Sequence, residues 1–214
     1  MKAPELLVQR PLGARAIYVL AHGAGAGMRH PFMQRMADAL AEQAIATVRW
    51  EFPYMIAGKR RVDAPPIAEA AVQAAWAAAR AQLGAQLPMF AGGKSFGGRM
   101  TSRAHAVAPL PGLAGLVLLG FPLHPATTPG VERAEHLAAA RGRMLFVSGS
   151  RDALADLALL RPVVAALGRR AQLHVVEGAD HGLERPVAAL PTAAAIVARW
   201  IGRTAAALRA RHPR

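Results

Sequence analysis

The 214-residue sequence predicts an α/β fold, a mostly parallel central sheet with helices on both faces. Two observations carry that expectation. Segments of strand character alternate with segments of helical character from residue 14 onwards. Each strand segment is also a near-continuous apolar run, as strands covered on both faces require. With 53% apolar and 18% charged residues, and no polar linker, the chain is expected to form one domain over 1–214.

The elements follow in order. "ARAIYVLAHG" (14–23) is an apolar strand ending in glycine, and "GAGAGMRHP" is a loop. "PFMQRMADALAEQ" places Phe32, Met33, Met36 and Leu40 at helical spacing. "AIATVRWEFP" is a second strand closed by Pro53, and 54–66 reads as an exposed loop. Alanine-rich 67–83 is a helix, with Ile67, Ala71, Ala74 or Ala75, and Ala78 on one face. "LPMFAGG" is a third strand and "FGGRMTSRAHAVA" the helix after it. Strands are expected at 112–123, 143–152 and 171–181. Between them lie a loop with one helical turn and a helix that Pro162 can start in its first turn. The segment 188–208 closes the chain as a helix.

Composition excludes several function classes. There is no cysteine, so disulfides, thiolate catalysis and cysteine metal sites are absent. No metal and no cofactor are implied, since the remaining histidines His30, His105, His174 and His212 lack ligand spacing. No apolar stretch reaches the roughly 18 residues of a membrane span, and the start lacks a secretory h-region. No membrane insertion and a cytoplasmic location are therefore expected. The net charge of +13 comes from arginines spread from Arg10 to Arg214 with few interleaved aromatics. No specific nucleic-acid partner is expected from that pattern.

Open parallel sheets bind ligands beyond the carboxyl ends of their strands. There lies Gly93-Lys94-Ser95-Phe96-Gly97, a G-x-S-x-G motif between a strand and a helix. With 20 glycines and four serines, chance gives roughly 0.03 such matches, following the false-positive reasoning that motifs require. A serine becomes a nucleophile only with a base in reach and a carboxylate to orient that base. Asp152 follows the fifth strand, with Asp156 one turn further as the fallback. His181 follows the sixth, between glycines 178 and 182. The candidate catalytic set is thus Ser95, Asp152 and His181. An oxyanion hole would use the backbone N–H of Phe96 and one from "HGAGAG" (22–27), Ala24 first and Gly25 next. His22 is expected to order that loop, with a role as ligand or base the alternative. Gly25, Arg99 and His124 are candidate substrate-binding residues. Lys59, Arg60, Arg61 and His136 are further ones; for Arg99 and these three cations a solvated face is the better reading, and for His124 and His136 a structural role fits at least as well.

The motifs "HGAGAG", "GKSFGG", "GSRD" and "GADHGL", in that order over nearly the whole chain, resemble the alpha/beta hydrolase superfamily. Within it the sequence is similar to the small, lidless, dienelactone-hydrolase-like group, and "GFPLHP" and "ERAEHL" resemble segments of one branch. The resemblance implies a serine hydrolase acting on small-molecule esters or related carbonyl compounds through an acyl-enzyme. Dienelactone hydrolase uses a cysteine nucleophile, so that named activity does not carry over. One or two early strands of the full fold are expected to be missing, and 122–137 is too short for a large lid. The alternative reading is a catalytically weak binding or scaffold protein on the same fold. Oligomeric state is left open.

Overall fold

The computed structural model describes residues 4–84 and 86–211, so the outermost termini of the expected domain, with His212, lie outside the described residues. Seven strands form one sheet in the order β1-β3-β2-β4-β5-β6-β7. They are β1 Leu6–Gln9, β2 Ala16–Ala21, β3 Ile45–Trp50, β4 Met89–Lys94, β5 Leu113–Leu119, β6 Met144–Gly149 and β7 Ala171–Val176. All neighbours are parallel except β1, which pairs antiparallel with β3 at the edge. The six expected strands are β2 to β7. The sheet therefore begins one strand before the first that the sequence predicts. Strand β1 has only four half-buried residues, too few for a clear apolar run.

The helices are α1 Pro31–Ala41, α2 Pro53–Ile56, α3 Pro65–Leu83, α4 Phe96–Val107, α5 Leu157–Ala166 and α6 Ala189–Arg211. The pleat sends alternate strand residues to opposite faces. Tyr18, Leu20 and Phe90 meet Met33, Met36 and Leu40 of α1 and Val197 and Ile201 of α6. Ile17, Val19 and Met89 meet Val72 and Trp76 of α3, Met100 of α4 and Leu160 of α5. Both faces are covered, as the apolar strands demand. A 3₁₀ segment, Glu132–Ala138, is the main regular structure between β5 and β6, so no large lid is present among the described residues. None of the described helices is long and apolar enough to cross a membrane.

Three local expectations are corrected. The buried face of α3 is Ala68, Ala71, Val72, Ala75, Trp76 and Ala79, and Ile67 is half exposed. Burying the indole of Trp76 outweighs the small alanines of the alternative stripe and rotates the helix by about one residue. Pro162 lies inside α5 and does not start it, because the Asp156 side chain accepts the Ala158 N–H and caps the helix, which begins five residues earlier at Leu157. Residues 54–66 are not uniformly an exposed loop. Tyr54 is buried in α2, and its N–H is held by Asp63 at 3.0 Å.

Candidate active site

The turn at Ser95 begins with the two glycines of the motif. A Cβ on Gly93 would stand 2.3 Å from the Ala21 carbonyl oxygen, and one on Gly97 would stand 2.5 Å from that of His22. Only glycine lets β4 and α4 pass that close to the end of β2. Ser95 itself takes φ 49°, ψ −116°, a conformation that costs a non-glycine residue roughly 1–3 kcal/mol. The surrounding sheet holds it there: the Ser95 N–H donates to the Leu119 carbonyl at 2.8 Å.

The hydroxyl meets two side chains that come from loops far away in sequence. Ser95 Oγ lies 2.9 Å from His181 Nε2. His181 Nδ1 lies 2.9 Å from both carboxylate oxygens of Asp152, whose side chain is fully buried. Asp152 also accepts the Leu154 N–H at 2.8 Å, which fixes the carboxylate. With Nδ1–H donating to Asp152, Nε2 carries the free lone pair towards the hydroxyl. Asp156 is not an alternative partner, being spent on the α5 cap. Asp180 is adjacent in sequence but makes no bond to the imidazole.

Donors for negative charge stand at the same place. The Phe96 N–H is the first of α4, where helix geometry leaves donors free and the dipole is positive. The Ala24 N–H has no partner among the described residues. Gly25 differs, for its N–H is committed to the Tyr54 hydroxyl at 3.2 Å. His22 orders this loop as expected from sequence. Its Nδ1 donates to the Gly23 carbonyl at 2.8 Å, and its Nε2 accepts the Phe52 N–H at 3.1 Å. Burial holds the imidazole below its ordinary pKa and so neutral. Beneath it, His22, Phe52, Tyr54 and Phe96 form one aromatic cluster, with Phe52 5.1 Å from both His22 and Phe96. The cluster ties the loop after β2 to the start of α4.

A cavity of about 400 Å³ opens over Ser95 and His181. Ala24, Gly25, Phe32, Met33 and Leu154 line it with mostly apolar surface, and His30, Lys94 and Glu184 add polar groups. A larger groove of about 840 Å³ runs along Met28, Trp50 and Ile56 but touches none of the three residues above. Two candidate binding residues are corrected. His124 is buried and turned away, its ring nitrogens bonded to the Pro125 carbonyl and the Asp156 N–H. Arg99 does not line the cavity and lies instead among Arg103, Arg133 and Glu69. His136 is likewise remote, its Nε2 2.7 Å from Ser102 Oγ. Lys59, Arg60 and Arg61 are exposed. Among the described residues, no three His, Asp or Glu side chains are grouped as metal ligands.

Sequence reasoning missed two residues at the site. Tyr54 holds the loop after β2, and the apolar "WEFPY" run was the signal for its burial. Lys94 occupies a position that the motif leaves unspecified, and nothing in the spacing marks it.

A family model for the alpha/beta hydrolase domain matches residues 14–208. Among solved structures, a dienelactone hydrolase from Anabaena variabilis superposes with a TM-score of 0.76 at 20% identity, covering 94% of this chain and 98% of that one. A serine hydrolase homologue from Coxiella burnetii gives 0.72 at 19% identity, covering 92% and 90%. A serine hydrolase without a lid from Xanthomonas campestris gives 0.70 at 20% identity, covering 92% and 89%. At these identities the likeness is one of fold.

Proposed function

The chain belongs to the alpha/beta hydrolase domain family, and from that premise we propose that it is a serine hydrolase of small esters or related carbonyl compounds. The observation that carries the reading is the chain of contacts Ser95 Oγ, His181 Nε2, His181 Nδ1 and Asp152, each 2.9 Å long. In the proposed reaction His181 takes the hydroxyl proton as Ser95 Oγ attacks the carbonyl carbon. Asp152 keeps the ring in the tautomer that can accept, and stabilises the imidazolium that forms. The N–H groups of Phe96 and Ala24 receive the negative charge on the carbonyl oxygen. Collapse of the tetrahedral intermediate expels the alcohol, which takes the proton back from His181. Water then attacks the acyl-enzyme by the same route, its proton passes through His181 to Ser95 Oγ, and a carboxylic acid leaves.

The roughly 400 Å³ cavity supports a small substrate, since it lies at the lower end of ligand-pocket volumes. Its apolar lining from Phe32, Met33 and Leu154 suits a short acyl chain. Turnover of p-nitrophenyl esters should accordingly fall as the acyl chain lengthens from acetate to laurate.

Ser95→Ala tests the reading directly. It should reduce kcat/KM for p-nitrophenyl acetate by at least about 10⁴-fold, with the fold intact by circular dichroism. A fluorophosphonate should label the wild type and not the variant. Folded wild-type protein that neither turns over ester nor accepts the probe would leave a binding or scaffold role as the better reading.

A further inference from the structure

Lys94, the last residue of β4, is 8% exposed although it carries an ammonium group. The stem packs beneath the loop after β2, with Cγ 3.5 Å from where a Cβ on Gly23 would stand. The head lies over the Phe32 ring of α1, 5.8 Å from its centroid. From there Nζ donates to the main-chain carbonyl of His181. One side chain thus spans the loop with the proposed oxyanion donor and the loop with the proposed base.

Among the described residues the bond from Lys94 is the one hydrogen bond to the His181 main chain. The near end of the His181 loop is fixed to the loop after β6, where Arg151 N–H donates to the Ala179 carbonyl at 2.8 Å and Gly178 N–H to Ser150 Oγ at 2.7 Å. Beyond Asp180 the loop closes on itself, with the Leu183 N–H donating to the Asp180 carbonyl at 3.1 Å and the Asp180 N–H to the Arg185 carbonyl at 3.3 Å, so that among the described residues His181 itself is held only through its imidazole and its carbonyl. Lys94 holds the same residue from the main-chain side.

We propose that Lys94 is a positioning residue, whose buried ammonium fixes the His181 main chain so that the imidazole stays between Ser95 and Asp152. The inference rests on the serine-hydrolase reading above. A charge-assisted bond holds the carbonyl about twice as strongly as a neutral donor would. Burying the charge is costly, and the groups that face it offset part of that cost. These are Asp152 from the loop after β6, and Asp180 and Glu184 from the loop after β7, with Glu184 also paired to Arg35 of α1. His30 lines the same cavity, and His181 itself lies beyond the carbonyl. Burial still dominates and draws the Lys94 pKa down from 10.5 to about 8. Above that pH the ammonium becomes an amine and the hold weakens, so turnover should decline on the alkaline side.

The test compares wild type, Lys94→Met, Lys94→Gln and Gly120→Ala by pH-rate profile and by rate of fluorophosphonate labelling. Lys94→Met should lower kcat on the order of 100-fold, as a misplaced catalytic group does, with KM within about threefold. Lys94→Gln keeps a neutral donor and should recover about tenfold of that loss. Both should lack the alkaline decline near pH 8. Gly120→Ala keeps the lysine but wedges a Cβ 2.9 Å from Nζ and 3.1 Å from the His181 carbonyl oxygen. It should lower kcat and retain the alkaline decline, which keeps the proposal testable if Lys94→Met does not fold. A wild type that is labelled and active while both lysine variants match it at every pH would overturn this role alone. A wild type that is not labelled at all would instead overturn the serine-hydrolase reading on which it rests.

Discussion

His22 and His181 stand on the same rim of the sheet, each just beyond the end of a parallel strand, and they are built for opposite tasks. His22 is fully buried and gives both ring nitrogens to main-chain groups, the Gly23 carbonyl and the Phe52 N–H. His181 is a quarter exposed and gives both nitrogens to side chains, a carboxylate and a hydroxyl. An imidazole bonded to two backbone groups has no proton to exchange with anything that reacts, so it holds a loop. An imidazole between an acid and a hydroxyl, with a cavity above it, can pass a proton. The partners of the ring, more than its depth, separate the two roles.

The contrast breaks most severely at Asp152. Asp152→Asn preserves shape but lets the amide donate to Nδ1, which turns the proton to Nε2 and removes the acceptor from Ser95. Under the proposed mechanism kcat should fall on the order of 10⁴-fold. Thermal melting should change far less than turnover. A variant that retains a tenth of wild-type kcat would show that the carboxylate does not set the tautomer.

At His22 the order of effects should reverse. His22→Ala strands the Gly23 carbonyl and the Phe52 N–H and leaves a void beside Phe52, at a cost of about 2–4 kcal/mol of stability. Turnover of the folded fraction should drop only about tenfold, through a loosened oxyanion loop. Acid should expose the same residue. Burial lowers the His22 pKa from 6.5 in the folded chain, so below that pH the unfolded chain takes up a proton that the folded chain refuses. Stability is then present above pH 6.5 and lost as pH falls towards the folded value. His136 acts with the same sign, drawn by burial and by Arg103 and Arg99 to about 4, and its window runs from 6.5 down to 4. Melting temperature measured over that window should fall less steeply in His22→Ala than in wild type. Equal slopes would show that the native chain protonates His22 as readily as the unfolded chain does.

The same contrast explains what was legible in the sequence. Strands β2 to β6 were readable because burial on two faces leaves near-continuous apolar runs, β7 because its six residues at one edge still include Leu173, Val175 and Val176, and β1 was not, because four half-buried residues at the other edge leave no such run. The candidate site was readable where chain order coincides with sheet order. Ser95, Asp152 and His181 each follow a strand, and the ends of parallel strands share one rim. Asp152 could be preferred to Asp156 on position alone, and the α5 cap accounts for the other aspartate. Residues that act through tertiary neighbours left a weaker trace or none. Tyr54 looked like loop because its burial depends on Phe52 and Phe96, and Lys94 looked like a filler because its environment is assembled from three separate loops.

Arg99 gives the mildest test, because the sequence placed it near substrate and the fold places it beside other cations. It is one turn beyond Ser95, and its N–H donates to the Ser95 carbonyl at 3.0 Å, yet its Nε is buried with no partner among the described residues. Burial first, then Arg133 and Arg103, brings its pKa from 12.5 to about 10 against the opposing pull of Glu69. A lowered arginine pKa means that the charged form is disfavoured in the folded chain, so at neutral pH the charge itself costs stability. Arg99→Met keeps most of the stem and removes that charge. Esterase turnover should stay within about twofold of wild type, and the melting temperature should hold or rise by about 2–4 °C. A tenfold loss confined to esters bearing a carboxylate would mean that Arg99 does reach the substrate, and that the cavity over Ser95 extends along α4 towards the 3₁₀ segment Glu132–Ala138.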